Sequence, residues 1–201
     1  MTNDVRLYAP AAVRNKGAIQ AVLRDHLPKG GLVLEIASGT GEHIAHIAAA
    51  SGPGLIFQPS DPDPRARESI DCWAGALGLT NVRPAIAIDA GSLDWPVATA
   101  DAVLCINMIH IAPWAATIGL LRGAARLLPP GGLLYLYGPF RRDGRHTAPS
   151  NAEFDAGLRM QDREWGVRDL ETVVEVAVAN GFAPPQIEQM PANNLSLIFR
   201  K

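Results

Sequence analysis

The 201-residue sequence has little of what several protein classes require. It holds only two cysteines, Cys72 and Cys105, far apart in the chain, which excludes a disulfide framework. Aromatic residues make up 6% and no long basic stripe is present, so a nucleic-acid surface is not expected. The formal net charge of -2 supplies no field for drawing in DNA or an anionic membrane. Gly, Pro and charged residues interrupt every apolar run before the roughly 18 residues of a membrane-spanning helix. The opening Met1-Thr-Asn-Asp-Val-Arg lacks the basic-then-apolar order of a secretion signal, so a reducing, cytoplasmic setting is expected. There is no internal repeat, coiled coil or low-complexity tail.

What is present is apolar material, 48% against 19% charged, in a length that suits one domain over residues 1–201. Apolar residues at Val13, Ile19, Val22, Leu23 and Leu27 have helical spacing. Short apolar runs at 32–37, 55–60, 82–88, 102–108 and 132–137 read as strands. Helical patterns at 41–50, 65–77 and 113–128 lie between them, with shorter ones at 153–160 and 170–180. The last strands are 186–190 and 195–199, joined by the turn Pro191-Ala-Asn-Asn. Single-helix crossovers require parallel neighbours, whereas a tight turn favours an antiparallel pair. The expected fold is α/β: a doubly wound, mostly parallel seven-stranded sheet with a terminal antiparallel strand.

In such sheets ligands bind beyond the carboxyl ends of the strands, where the winding reverses. The first strand ends in Glu35-Ile-Ala-Ser-Gly-Thr-Gly-Glu-His. Gly39 and Gly41 permit a sharp turn and close ligand approach. A dinucleotide fingerprint needs a third glycine where Ile44 stands. Asp61 follows Gly41 by twenty residues, at the end of the second strand, where a carboxylate can accept both ribose hydroxyls. Asp89 ends the third strand and can accept from an adenine amino group. Each acid alone also fits a helix cap or turn. Three of them around one glycine loop point to a nucleoside-type ligand.

At these residues the sequence resembles class I S-adenosylmethionine-dependent methyltransferases. Val33-Leu-Glu-Ile-Ala-Ser-Gly-Thr-Gly is similar to their first motif, with Ala37 in place of its first glycine. The resemblance implies a Rossmann-like methyltransferase fold. It implies Glu35 and the loop residues Ala37, Ser38, Gly39 and Gly41 at the methionine end of S-adenosylmethionine, Asp61 on the ribose and Asp89 on the adenine. Asn107 and His110 would lie under the sulfonium. A narrower resemblance rests on Tyr8-Ala-Pro-Ala-Ala-Val-Arg-Asn-Lys, Ile36-Ala-Ser-Gly-Thr-Gly-Glu-His, Gln58-Pro-Ser-Asp, Ile106-Asn-Met-Ile-His-Ile, Tyr137-Gly-Pro-Phe and Pro191-Ala-Asn-Asn-Leu-Ser-Leu. These are similar to the DUF938 family, labelled methyltransferase-like 26 in animals, over essentially the whole length. That family implies the fold and the cofactor, with S-adenosylhomocysteine as product, and no particular acceptor.

Arg14, Asn15 and Lys16 suit a methionine carboxylate, or a solvated helix start. His43 sits beside the cofactor loop; His43 and His46 share a helix face but lack further ligands for zinc, so no metal is expected. The stretch from Phe140 to Asn151 reads as a polar loop over the reactive end, with His146 as a candidate base and Tyr137, at the strand end, as a second candidate for contacting substrate. The end of the 102–108 strand, Asn107-Met-Ile-His, lacks the Asn/Asp-Pro-Pro-aromatic signature of DNA amino methyltransferases. A small-molecule methyl acceptor is therefore expected, without nucleic acid or membrane. A non-catalytic module binding the cofactor and a nicotinamide-dependent oxidoreductase stand as alternatives. Oligomeric state is not readable from the pattern.

Overall fold

The computed structural model describes residues 5–92 and 94–201, so the leader reading at residues 1–4 lies outside it. The elements are α1 (Pro10–His26), β1 (Gly31–Ile36), α2 (Glu42–Ala49), β2 (Leu55–Pro59), α3 (Pro64–Ala76), β3 (Ala102–Ile106), α4 (Trp114–Leu127), β4 (Leu133–Arg142), β5 (Arg145–His146), α5 (Pro149–Gln161), β6 (Arg168–Asp169), α6 (Leu170–Ala179), β7 (Gln186–Met190) and β8 (Asn194–Arg200). Helices α1, α3 and α5 start on proline, whose fixed φ suits the first helical turn and whose missing N–H has no partner there anyway. Asp63 caps α3 by accepting from Arg65 N at 2.9 Å.

The sheet order is β2-β1-β3-β4-β8-β7, with the two-residue β5 and β6 pairing on β4. The first four strands of that order are parallel. β8, the chain's last strand, runs antiparallel between β4 and β7. Alternate residues feed two cores. Val103, Cys105, Leu134 and Leu136 pack under α4 and α6, while Leu104, Ile106, Tyr135 and Tyr137 face the side of α1 and α2. Every residue of β3 is buried, as a strand covered on both faces requires.

Three segments differ from the sequence reading. Residues 82–88 form no continuous strand but only two parallel bridges to the β2 edge, Phe57 with Val82 and Ser60 with Ile86. Pro84 sits between them and has no N–H to donate. β3 stops at Ile106 because Asn107 adopts the left-handed region, φ 64°, and the chain turns into a 3-10 turn at Met108–His110. β4 continues to Arg142 and folds back through Asp143 and Gly144, φ 49° and 69°, into β5. The stretch 140–151 is thus a strand end, a hairpin and the first turn of α5. Its arginines mask the alternation that buried Phe140 continues.

Candidate cofactor and acceptor site

From β1 the chain passes to β2 on one side and later to β3 on the other, so the winding reverses over the carboxyl end of β1. The loop from Ala37 to Gly41 crosses that point. Ala37, Gly39 and Gly41 all have left-handed φ, 57°, 56° and 88°. Ala37 packs against the core on the α4 side. A Cβ on Gly41 would meet Ile70 Cα at 2.7 Å, so glycine there lets α2 approach α3. A Cβ on Gly39 would meet nothing within 4 Å; this part of the loop borders open space.

Acids frame that space. Asp61 is buried and accepts from Gly39 N at 2.9 Å through one oxygen and from Asp63 N at 3.0 Å through the other. Each oxygen keeps a further lone pair for a ligand. Ser38 locks the loop to β2, donating from its N to Ser60 O at 2.8 Å and accepting from Ser60 N at 3.2 Å. Glu35 is 1% exposed and its Oε2 has no hydrogen-bond partner. Burial raises its pKa to about 7, against a lowering hydrogen bond with Ser38 and with a further push from the Asp61 charge. A buried, half-ionised carboxyl without a partner suits a cationic or N–H-bearing ligand. Asp89 is exposed at the end of the 82–88 segment, its Oδ1 accepting from Gly91 N at 2.8 Å. The glycine cradle and these acids fit the nucleoside and amino-acid portions of S-adenosylmethionine.

Beside the loop lies a cleft of about 620 Å³, walled by α1, the 107–111 turn, the end of β4, α5 and the 191–194 turn. A polar chain runs along its floor. His43 Nε2 lies 2.7 Å from Asn15 Oδ1, which can only accept, so the imidazole is the donor. Burial, with Lys16 and His46 adding, lowers the His43 pKa to about 4 and keeps the ring neutral. Burial raises the Tyr137 pKa, opposed by the neighbouring Asn15 and Asn194 side chains, so the phenol carries its proton at neutral pH.

The structure brings Asn15, Asn107 and Tyr137 together in the cleft wall. His110 and His146 are elsewhere. His110 is fully buried, its ring edge-on to Phe140 at 5.1 Å and its carbonyl accepting from Gly166 N at 2.9 Å. Burial lowers its pKa to about 3, with the Arg168 charge adding. His146 pairs with Asp155 at 3.4 Å, and the same carboxylate engages Arg159 and Val167 N. Sequence reasoning passed over Asn151, Phe154 and Asn194. Asn151 donates to Thr147 Oγ1 and Asn193 O, both at 3.1 Å, which ties α5 to the 191–194 turn. Asn151 lay at the end of the stretch read as a polar loop and Asn194 in the segment read as a turn, with nothing local to mark either as part of a cleft.

A family model described as "Protein of unknown function (DUF938)" matches residues 6–201. The chain belongs to the DUF938 family. Among relatives of this DUF938 chain, the phosphatidylethanolamine N-methyltransferase of Cereibacter sphaeroides is 30% identical over 118 residues, 57% of this chain and 54% of that protein. An O-methyltransferase family protein from Burkholderia thailandensis superposes with a TM-score of 0.81 at 20% identity, covering 95% of this chain and 57% of that one. The structure of PigF with SAH gives 0.76 at 18% identity, over 91% and 55%. YcgJ from Bacillus subtilis gives 0.70 at 20% identity, over 88% and 71%. The DUF938 chain has the Rossmann-like methyltransferase fold and spans about half the length of the curated relative. Among the described residues no helix is long and apolar enough to cross a membrane, and no cluster of three metal-ligating side chains occurs.

Proposed function

We propose that this DUF938 chain is a single-domain methyltransferase that uses S-adenosylmethionine, releases S-adenosylhomocysteine and modifies a small molecule. The observation that carries this reading is the open cradle at Gly39, set between the unpartnered Glu35 Oε2 and the buried Asp61. The methyltransferase named among its relatives and the neighbouring fold of PigF with SAH support the same ligand. When bound, the cofactor supplies an electrophilic methyl group on a positively charged sulfonium. The chain's own residues bind and orient. Glu35 ionises beside a cationic ligand, the Gly39 amide edge receives the amino-acid portion, and Asp61 accepts from the ribose hydroxyls. Asp89 reaches the adenine amino group from the end of its segment. Asn107 and Asn15 border the junction between cradle and cleft, and the protonated Tyr137 hydroxyl stands in the cleft wall to contact the acceptor. His110 fixes the 107–111 turn from behind, and His43 fixes Asn15. His146 stands as a base only if the acceptor carries its proton toward the β5 hairpin. The two free cysteines fit a reducing cytoplasm.

Calorimetric titration with S-adenosylmethionine, S-adenosylhomocysteine, NAD and NADP tests the reading. The two sulfur nucleosides are expected to saturate one site and the dinucleotides to give no heat, since Ile44 is buried in the core where their third glycine would stand. Folded protein that binds neither sulfur nucleoside overturns the proposal. Release of S-adenosylhomocysteine over an acceptor panel separates a transferase from a binding module.

A further inference from the structure

The cleft beside the glycine loop has an uneven chemistry. Among the described residues Arg14 is its one charged wall residue, and no carboxylate lines it. The Arg14 side chain makes no hydrogen bond or ion pair with any described residue. Two arginines near the same end of the sheet are engaged instead: Arg141 pairs with Asp169 at 2.7 Å, and Arg168 donates to Ile109 O, Ala112 O and Glu164 O. The protonated Tyr137 hydroxyl is a second donor in the wall of the same space. Ile111 and Phe154, each 45% exposed, stand on the cleft wall with Pro139 and Pro191. Exposed large apolar side chains gathered on one concavity mark a surface that a ligand covers. Apolar wall residues, a lone cation and a protonated hydroxyl, with no carboxylate among them, select a compact acid and reject a cation.

Resting on the methyltransferase reading, we propose that the acceptor cleft binds a small carboxylic acid with a ring-sized apolar body. Its carboxylate pairs with Arg14, its apolar face lies on Phe154 and Ile111, and a lone-pair atom receives the Tyr137 proton. The cofactor also carries a carboxylate, so the test must separate the two sources. Wild-type protein saturated with S-adenosylhomocysteine is titrated with 4-hydroxybenzoate, phenylacetate and indole-3-carboxylate, each against its neutral amide. At least one acid is expected to bind about tenfold more tightly than its amide, the worth of one charge-assisted pair. Arg14→Gln is expected to remove that preference while leaving the S-adenosylhomocysteine isotherm unchanged, and Phe154→Ala to weaken acid and amide alike. No acid preference in the wild type, or one that survives Arg14→Gln, overturns the proposal. Loss of S-adenosylhomocysteine binding in Arg14→Gln assigns the guanidinium to the cofactor's carboxylate and also overturns it. Failure of the wild type to bind S-adenosylhomocysteine is a failure of the parent reading, and the acids are then titrated into the protein alone, under the same criteria.

Discussion

The two halves of the site are built in opposite ways. The cradle over β1 and β2 is a single loop, Ala37 to Gly41, held by backbone amides that donate to Asp61 and Ser60. The cleft over β3 and β4 is made from side chains of α1, the 107–111 turn, β4, α5 and the 191–194 turn, five places scattered over 180 residues of chain. The cradle's parts are neighbours in sequence and are tied to the end of β2, whereas the cleft exists only where distant segments meet.

Substitutions break that contrast to different degrees. Gly41→Ala places a methyl 2.7 Å from Ile70 Cα at a left-handed φ. It should cost about 3 kcal/mol or more in urea unfolding and abolish S-adenosylhomocysteine binding with the fold. Glu35→Gln acts through pH. The native pKa of about 7 lies above the ordinary carboxyl value of 4.5, so the stability tied to the neutral form is full below pH 4.5 and lost as pH rises through 7. The variant should therefore match wild type at pH 4.5 and exceed it by about 3 kcal/mol at pH 8. Urea midpoints at the two pH values check this; a difference independent of pH would remove burial of the charge as the cause.

Asp61→Ala loses two backbone hydrogen bonds and, on the proposed reading, the acceptor for a ribose, and should weaken S-adenosylhomocysteine about 100-fold by calorimetry. Tyr137→Phe, on the cleft side, should lower kcat/KM for methyl transfer about tenfold and leave cofactor affinity within twofold. His146→Gln removes a partly exposed pair with Asp155 and should cost under about 1 kcal/mol, with no effect on either binding event.

The same contrast decides what the sequence discloses. The glycine loop and Asp61 are legible because their roles depend on short, fixed spacings and on φ values few residues adopt. The strands were legible where both faces are buried and the apolar run is continuous, as in β3. The 82–88 segment misled because apolar content says nothing of the N–H that Pro84 lacks. The 140–151 stretch misled because two arginines hide a strand that buried Phe140 continues. Asn194 and Phe154 carried no local signal, since their role arises only when β8 inserts beside β4 and α5 folds over the 191–194 turn. His110 illustrates the converse: a polar residue at a strand end whose ring is absorbed into the core behind Phe140.

The most direct test of this division is one titration performed on two variants. S-adenosylhomocysteine is added to Gly39→Val, which fills the open cradle, and to Phe154→Ala, which strips the cleft wall, with circular dichroism confirming both folds. The account predicts no detectable binding to Gly39→Val and wild-type affinity for Phe154→Ala. Wild-type affinity in a folded Gly39→Val protein would contradict it.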